Sequence, residues 1–112
     1  MSKVRGYVVV GIFLGLALLG TISPAVAAYG PGKALYEEKC ASCHGTNGDG
    51  QGPLASIFNP VPADFRNPGF WQANVNQKIT NTVENGHGPM PAIDLSPSQI
   101  KAISDYMSHT FK

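Results

Sequence analysis

Cys40 and Cys43 are the only cysteines in this 112-residue chain, and they stand in the run Cys40-Ala-Ser-Cys-His44. Two thiols three residues apart can close a local disulfide, form a redox pair or supply half of a metal site. His44, directly after the second thiol, separates these options. A thioredoxin-like pair belongs on a strand-turn-helix unit and leaves the histidine without a task. A zinc site needs two further ligands, and there is no second cysteine pair. Two thiols at the end of a helix can instead each add across one vinyl group of a haem, which places the next residue to ligate the iron from the same side. Cys40-x-x-Cys43-His44 therefore reads as the covalent attachment site of one c-type haem, with His44 as an iron ligand.

Candidates for the second iron ligand are His87, Met90, Met107 and His109. Met107 falls on the apolar stripe of the last helix, where core packing explains it. His109 lies close to the terminus, on the solvated side. Met90 sits in Gly86-His87-Gly88-Pro89-Met90-Pro91, a loop where packing does not call for a flexible methionine and two prolines fix the backbone around the sulfur. Met90 is the expected ligand. His87 is the alternative, and would give bis-histidine iron at a lower potential.

Three helices must position these residues. The first candidate, 33–39, leads straight into the cysteines. From Gly45 to Phe70 breaker pairs follow one another: Asn47-Gly48, Asp49-Gly50, Gly52-Pro53, Asn59-Pro60, Val61-Pro62 and Asn67-Pro68. A loop this long in a small domain should wrap around something. A second helix fits 75–84, with Asn74 as its cap, Gln77 closing a capping box, and Val75, Ile79 and Val83 on one stripe. The third begins with Ser96 as N-cap, Pro97 in the first helical position and Gln99 closing a capping box. Leu95 and Ile100 form a hydrophobic staple, and Ile100, Ile103, Met107 and Phe111 carry the apolar face. No internal repeat and no alternating strand is visible. The expected fold class is all-α, three main helices and long loops wrapped around one covalently attached haem.

The N-terminus reads as a secretory signal peptide over residues 1–27. Lys3 and Arg5 precede an apolar stretch from Tyr7 to Ile22, Pro24 breaks the pattern, and Ala25-Val26-Ala27-Ala28 supplies the cleavage site. The alternative is an uncleaved membrane anchor, since no residue from Gly6 to Gly32 is charged. On either reading residues 28–112, the functional domain, lie outside the cytoplasm, in the periplasm or held at the outer face of the cytoplasmic membrane. Without the leader, six basic residues stand against seven acidic ones, a formal net charge of −1. No Lys/Arg cluster remains, which excludes a nucleic-acid footprint and strong electrostatic steering. A domain of about 85 residues has a marginal core without a staple or cofactor. A large apolar disc such as haem meets that need.

Residues 32–111 resemble the class I cytochromes c, particularly the small single-haem bacterial periplasmic type. The resemblance rests on G-x-x-x-Y-x-x-x-C-A-S-C-H-G from Gly32 to Gly45, on G-D-G-Q-G-P, on M-P-A-I at Met90, and on L-S-x-x-Q-I-x-x-I-x-x-Y-M at the end. It implies a first and a last helix that cross at nearly right angles, with Gly32 permitting close approach and Tyr36 and Tyr106 near the contact. It implies that the Pro53 carbonyl accepts a hydrogen bond from the ring N–H of His44, although here Leu54 follows Pro53 directly, one residue closer than in many relatives. It also implies that Trp71 donates its indole N–H to a haem propionate, with plain core packing as the alternative. Arg66 is a further propionate candidate, or a solvated surface residue.

The function implied is that of a monomeric one-electron carrier rather than an enzyme. Iron held by His44 and Met90 would exchange electrons with exported or membrane-bound redox proteins through small, transient contacts. Two alternatives stand beside it. One is a haem enzyme or gas sensor with an open or labile sixth position, for which His87 is the only evident distal group. The other is an electron-transfer subunit of a larger redox enzyme.

Overall fold

The computed structural model describes residues 6, 9–12, 15, 19–21 and 24–112, with the backbone alone over 24–28. About half of the predicted leader, residues 1–27, falls outside these. No helix among the described residues is long and apolar enough to cross a membrane. Among the described residues four helices form: α1 over Pro24–Lys39, α2 over Ala41–His44, α3 over Val75–Asn85 and α4 over Pro97–Phe111. Two single 3-10 turns, Ala55–Ile57 and Pro68–Phe70, punctuate the long loop. Among the described residues there is no strand, only one isolated bridge between His87 and Met90. The all-α class expected from the sequence is the one observed.

Helix α1 runs further toward the N-terminus than the 33–39 segment predicted. The helix opens at Pro24, where the N–H a proline lacks has no intrahelical partner in the first turn. Pro31 lies inside. Tyr29 is stacked on His109 of α4, with ring centroids 4.4 Å apart and planes within 9°, and this contact holds the early turns down. One turn later Gly32 lets the two backbones meet. A Cβ at Gly32 would overlap the Ala102 carbonyl and come within 2.9 Å of Tyr106 Cβ. Tyr36 and Tyr106 meet beside this crossing, with centroids 5.6 Å apart.

The two later helices bury the stripes read from their periodicity. Ile79 and Val83 of α3 face Ile100, Ile103, Tyr106 and Met107 of α4 in one core. Ser104 Oγ donates to Asn76 Oδ1 at 2.8 Å and ties the pair together. At the head of α4, Ser96 Oγ accepts from the Gln99 N–H while Gln99 Oε1 accepts from the Ser96 N–H, so the predicted capping box is present. The box predicted for α3 is not. Asn74 sits in the left-handed region at φ 66°, and its side chain makes no cap bond. The preceding turn brings the chain in through a conformation that asparagine tolerates better than most residues, and this geometry displaces the cap.

Candidate functional site

The cysteine turn is built so that one surface stays free and every carbonyl behind it is used. Cys40 caps α2, and its carbonyl receives the N–H groups of Cys43 and His44 at 3.2 and 2.9 Å. That single turn puts positions i, i+3 and i+4 on one side. The remaining carbonyls bond to the glycine-rich loop. Ala41 O accepts from Gly45, Ser42 O from Leu54, Cys43 O from Gly52 and His44 O from Gly50. Glycine is required at 52, where a Cβ would fall on the carbonyls of Ala41 and Ser42. Tyr36 completes the set by donating its hydroxyl to Gly45 O at 2.7 Å.

On the free side lies a cavity of about 400 Å³, within the range of small-molecule and cofactor sites, roughly 300–1,000 Å³. Cys40, Cys43 and His44 form one wall, and Met90 with its flanking prolines contributes to another. The remainder is largely apolar, with Phe58, Val61 and Phe65 from the long loop and Ile79, Val83 and Met107 from the helices. Cys40 and Cys43 are not bonded to each other. Burial pushes the Cys40 thiol up to about 11, with Cys43 adding to the effect. A redox thiol needs the opposite shift, toward thiolate. No strand leads into the turn either, so a thioredoxin-like pair finds no support here.

His44 is oriented by the loop and not by Pro53. Its Nδ1 lies 3.1 Å from the carbonyl of Ala63. A carbonyl can only accept, so Nδ1 carries the hydrogen and Nε2 keeps the free lone pair. Burial pushes the imidazole below its ordinary range, and the Ala63 bond offsets part of that. The Pro53 expectation is thereby corrected. Pro53 is exposed, and its neighbours Gly52 and Leu54 are bonded to the back of the cysteine turn, which aims this segment away from the ring.

For Trp71 the packing alternative is the one observed. Its indole N–H donates to the Phe65 carbonyl at 2.6 Å, and its ring meets Phe70 edge-on at 5.1 Å, so its single donor is used inside the loop. Arg66 pairs with Asp64 on the surface, in contact at 3.4 Å. The sequence reading missed Phe65, a buried aromatic whose ring stacks on His44 with centroids 4.5 Å apart and planes within 20°. Its only sequence signal is an aromatic residue in the middle of a proline-rich loop.

The opposite loop is equally fixed. His87 and Met90 exchange both backbone hydrogen bonds at 3.0 Å, which closes a tight turn over Gly88 and Pro89 with Gly88 at φ 54°. The Ile93 N–H then donates to Val83 O and anchors the turn on α3. Met90 is half-buried and packs on the core, whereas His87 is exposed at the rim. Met107 is buried in α4, as expected of a core residue, and exposed His109 stands away from the cavity on Tyr29.

These surroundings fit the group that the motif calls for. There are two unbonded thiols, a half-buried imidazole with one nitrogen held, and a thioether across a largely apolar space. No three His, Cys, Asp or Glu side chains gather elsewhere among the described residues, so a tetrahedral zinc cage has no donor set there.

A family model described as cytochrome C oxidase, cbb3-type, subunit III matches residues 27–107. Cytochrome c6 of Chlorolobion braunii is 32% identical over 78 residues, covering 68% of this chain and 83% of that protein. Cytochrome c6 of Euglena viridis is 30% identical over 78 residues, covering 68% and 85%. The fructose dehydrogenase cytochrome subunit of Gluconobacter japonicus is 34% identical over 88 residues, but these are 70% of this chain and only 18% of that protein.

Proposed function

The chain belongs to the class I cytochrome c family and carries covalently bound haem c with its iron; from that premise we propose that it is a one-electron carrier whose iron is held between His44 and Met90. The observation that carries this reading is the cavity itself, walled by Cys40, Cys43 and His44 and also lined by Met90. Cys40 and Cys43 would hold the haem through thioethers, and His44 would offer Nε2 to the iron. When bound, haem supplies an iron centre that gains and loses one electron, at a potential raised by methionine relative to bis-histidine ligation.

The protein's own groups support electron transfer without other chemistry. The Ala63 carbonyl keeps the His44 tautomer constant, so the ligand need not rearrange. The His87–Met90 turn keeps the thioether in place, and the apolar walls limit water. Of the acids and bases in the Met90 loop, His87 alone lines the cavity, and it is exposed. The domain works outside the cytoplasm as a monomer that meets its redox partners transiently.

A second reading, an electron-transfer subunit of a larger redox enzyme, draws on the family model and one relative. The matched family model describes an oxidase subunit, and one relative is a dehydrogenase cytochrome subunit. Both readings need closed six-coordinate iron. Absorption spectra of the purified holoprotein, ferric, ferrous and ferrous under carbon monoxide, test it. A methionine–iron band in the ferric state and no carbon monoxide shift are expected. A ready shift would replace this reading with an enzyme or gas sensor. Elution of the native protein with a larger oxidoreductase would favour the subunit over the free carrier.

A further inference from the structure

We propose that Phe65 and Trp71 are positioning residues for His44, setting the plane of its imidazole and the strength of its Nδ1–H bond. The inference rests on the reading of His44 as an iron ligand. The segment 63–65 holds the imidazole twice. Ala63 accepts at its edge at 3.1 Å, and Phe65 lies against its face at 4.5 Å. Turning the ring about its own bond to the chain would break both contacts together.

Phe65 is itself held at both backbone ends. Its N–H donates to Gly48 O at 2.7 Å, and its carbonyl accepts from Trp71 Nε1 at 2.6 Å. Phe70 packs between them, with its ring 4.8 Å from Phe65 and 5.1 Å from Trp71. Trp71 does not line the cavity, so its effect on His44 passes through Phe65. The hydrogen bond on the outer nitrogen of a ligating imidazole governs its basicity toward the metal. The brace is therefore placed to tune the iron from a distance.

The test uses the holoprotein and three variants. Trp71→Phe removes the donor and keeps an aromatic ring, Phe65→Leu removes the stacked face, and Ser104→Ala removes the hydrogen bond to Asn76 between α3 and α4, outside the cavity lining. Proton NMR of the ferric form reads the order of the haem-methyl shifts, which reports axial-ligand orientation, together with hydrogen exchange at Nδ1. Trp71→Phe and Phe65→Leu are expected to reorder the methyl shifts. Trp71→Phe should also speed Nδ1–H exchange about tenfold, the factor corresponding to loss of one ordinary hydrogen bond. Ser104→Ala should lower Tm with the methyl order preserved. Wild-type methyl order and exchange in Trp71→Phe, with only Tm lowered, would overturn the proposal and leave these residues as packing. A wild-type spectrum lacking paramagnetically shifted His44 ring protons would overturn the ligand assignment itself, and the proposal with it.

Discussion

Tyr36 reaches from the middle of α1 to the end of the cysteine turn, where its hydroxyl donates to the carbonyl of Gly45 at 2.7 Å. The ring is fully buried among Phe65, Tyr106 and Phe111. One side chain thus joins the helix crossing to the backbone that ends the haem motif. Tyr36→Phe leaves Gly45 O short of a buried partner and should cost about 1–3 kcal/mol in denaturant unfolding.

The same phenol sets an alkaline limit. Burial holds it protonated well beyond tyrosine's usual range, whereas in the unfolded chain it ionises near pH ~10. Above that pH the unfolded chain binds fewer protons than the folded one, so stability falls as pH rises. The stability difference between wild type and Tyr36→Phe should stay constant from neutral pH to about 10 and narrow above it. A difference that stays flat to higher pH would show that the phenol ionises alike in both states.

Gly32 gives a sharper packing test. A methyl group there would strike the Ala102 carbonyl, and backbone cannot swing aside as a side-chain tip can. Gly32→Ala should destabilise the holoprotein by about 1–3 kcal/mol, the usual cost of overpacking, despite alanine's better helix propensity. Thermal unfolding decides between the two effects. A raised Tm would mean that propensity wins.

What the sequence revealed, and what it hid, divides by distance along the chain. Cys40, Cys43 and His44 were legible because their chemistry lies within one turn. The Ser96–Gln99 box and the stripe from Ile100 to Phe111 were legible for the same reason. The partner of His44 was not, since Ala63 lies 19 residues away along a loop path that no periodicity records. Pro53 was the nearer guess, but the loop uses that segment to satisfy the carbonyls of Ser42 and Cys43. Trp71 was read as a donor, which it is, but not whose. The long start of α1 depends on Tyr29 finding His109 at the other end of the domain.

Two helix starts that look alike in sequence should respond differently to mutation. Ser96→Ala removes a working cap and should cost about 1 kcal/mol. Asn74 makes no cap bond, and its left-handed backbone suits glycine. Asn74→Gly should be nearly neutral, whereas Asn74→Ala should cost about 1–2 kcal/mol through strain at positive φ. Equal losses in Asn74→Gly and Asn74→Ala, read from urea midpoints, would mean that the side chain matters there after all.

The two methionine sulfurs at the cavity give the clearest check on the iron's second ligand. Met107 is 3% exposed and anchored in α4, whereas Met90 sits on a closed turn at the cavity wall. Met107→Leu conserves volume and should cost less than about 1.5 kcal/mol while leaving the methionine–iron band in place. Met90→Ala should abolish the band, let carbon monoxide bind the ferrous form and lower the reduction potential. His87→Ala alone should change neither the band nor carbon monoxide binding, because His87 stands exposed at the rim. In Met90→Ala, a low-spin spectrum that still excludes carbon monoxide would mean that His87 has taken the position. Adding His87→Ala to that variant should then open the site. Retention of the band in Met90→Ala and its loss in Met107→Leu would move the ligand from the loop to the helix.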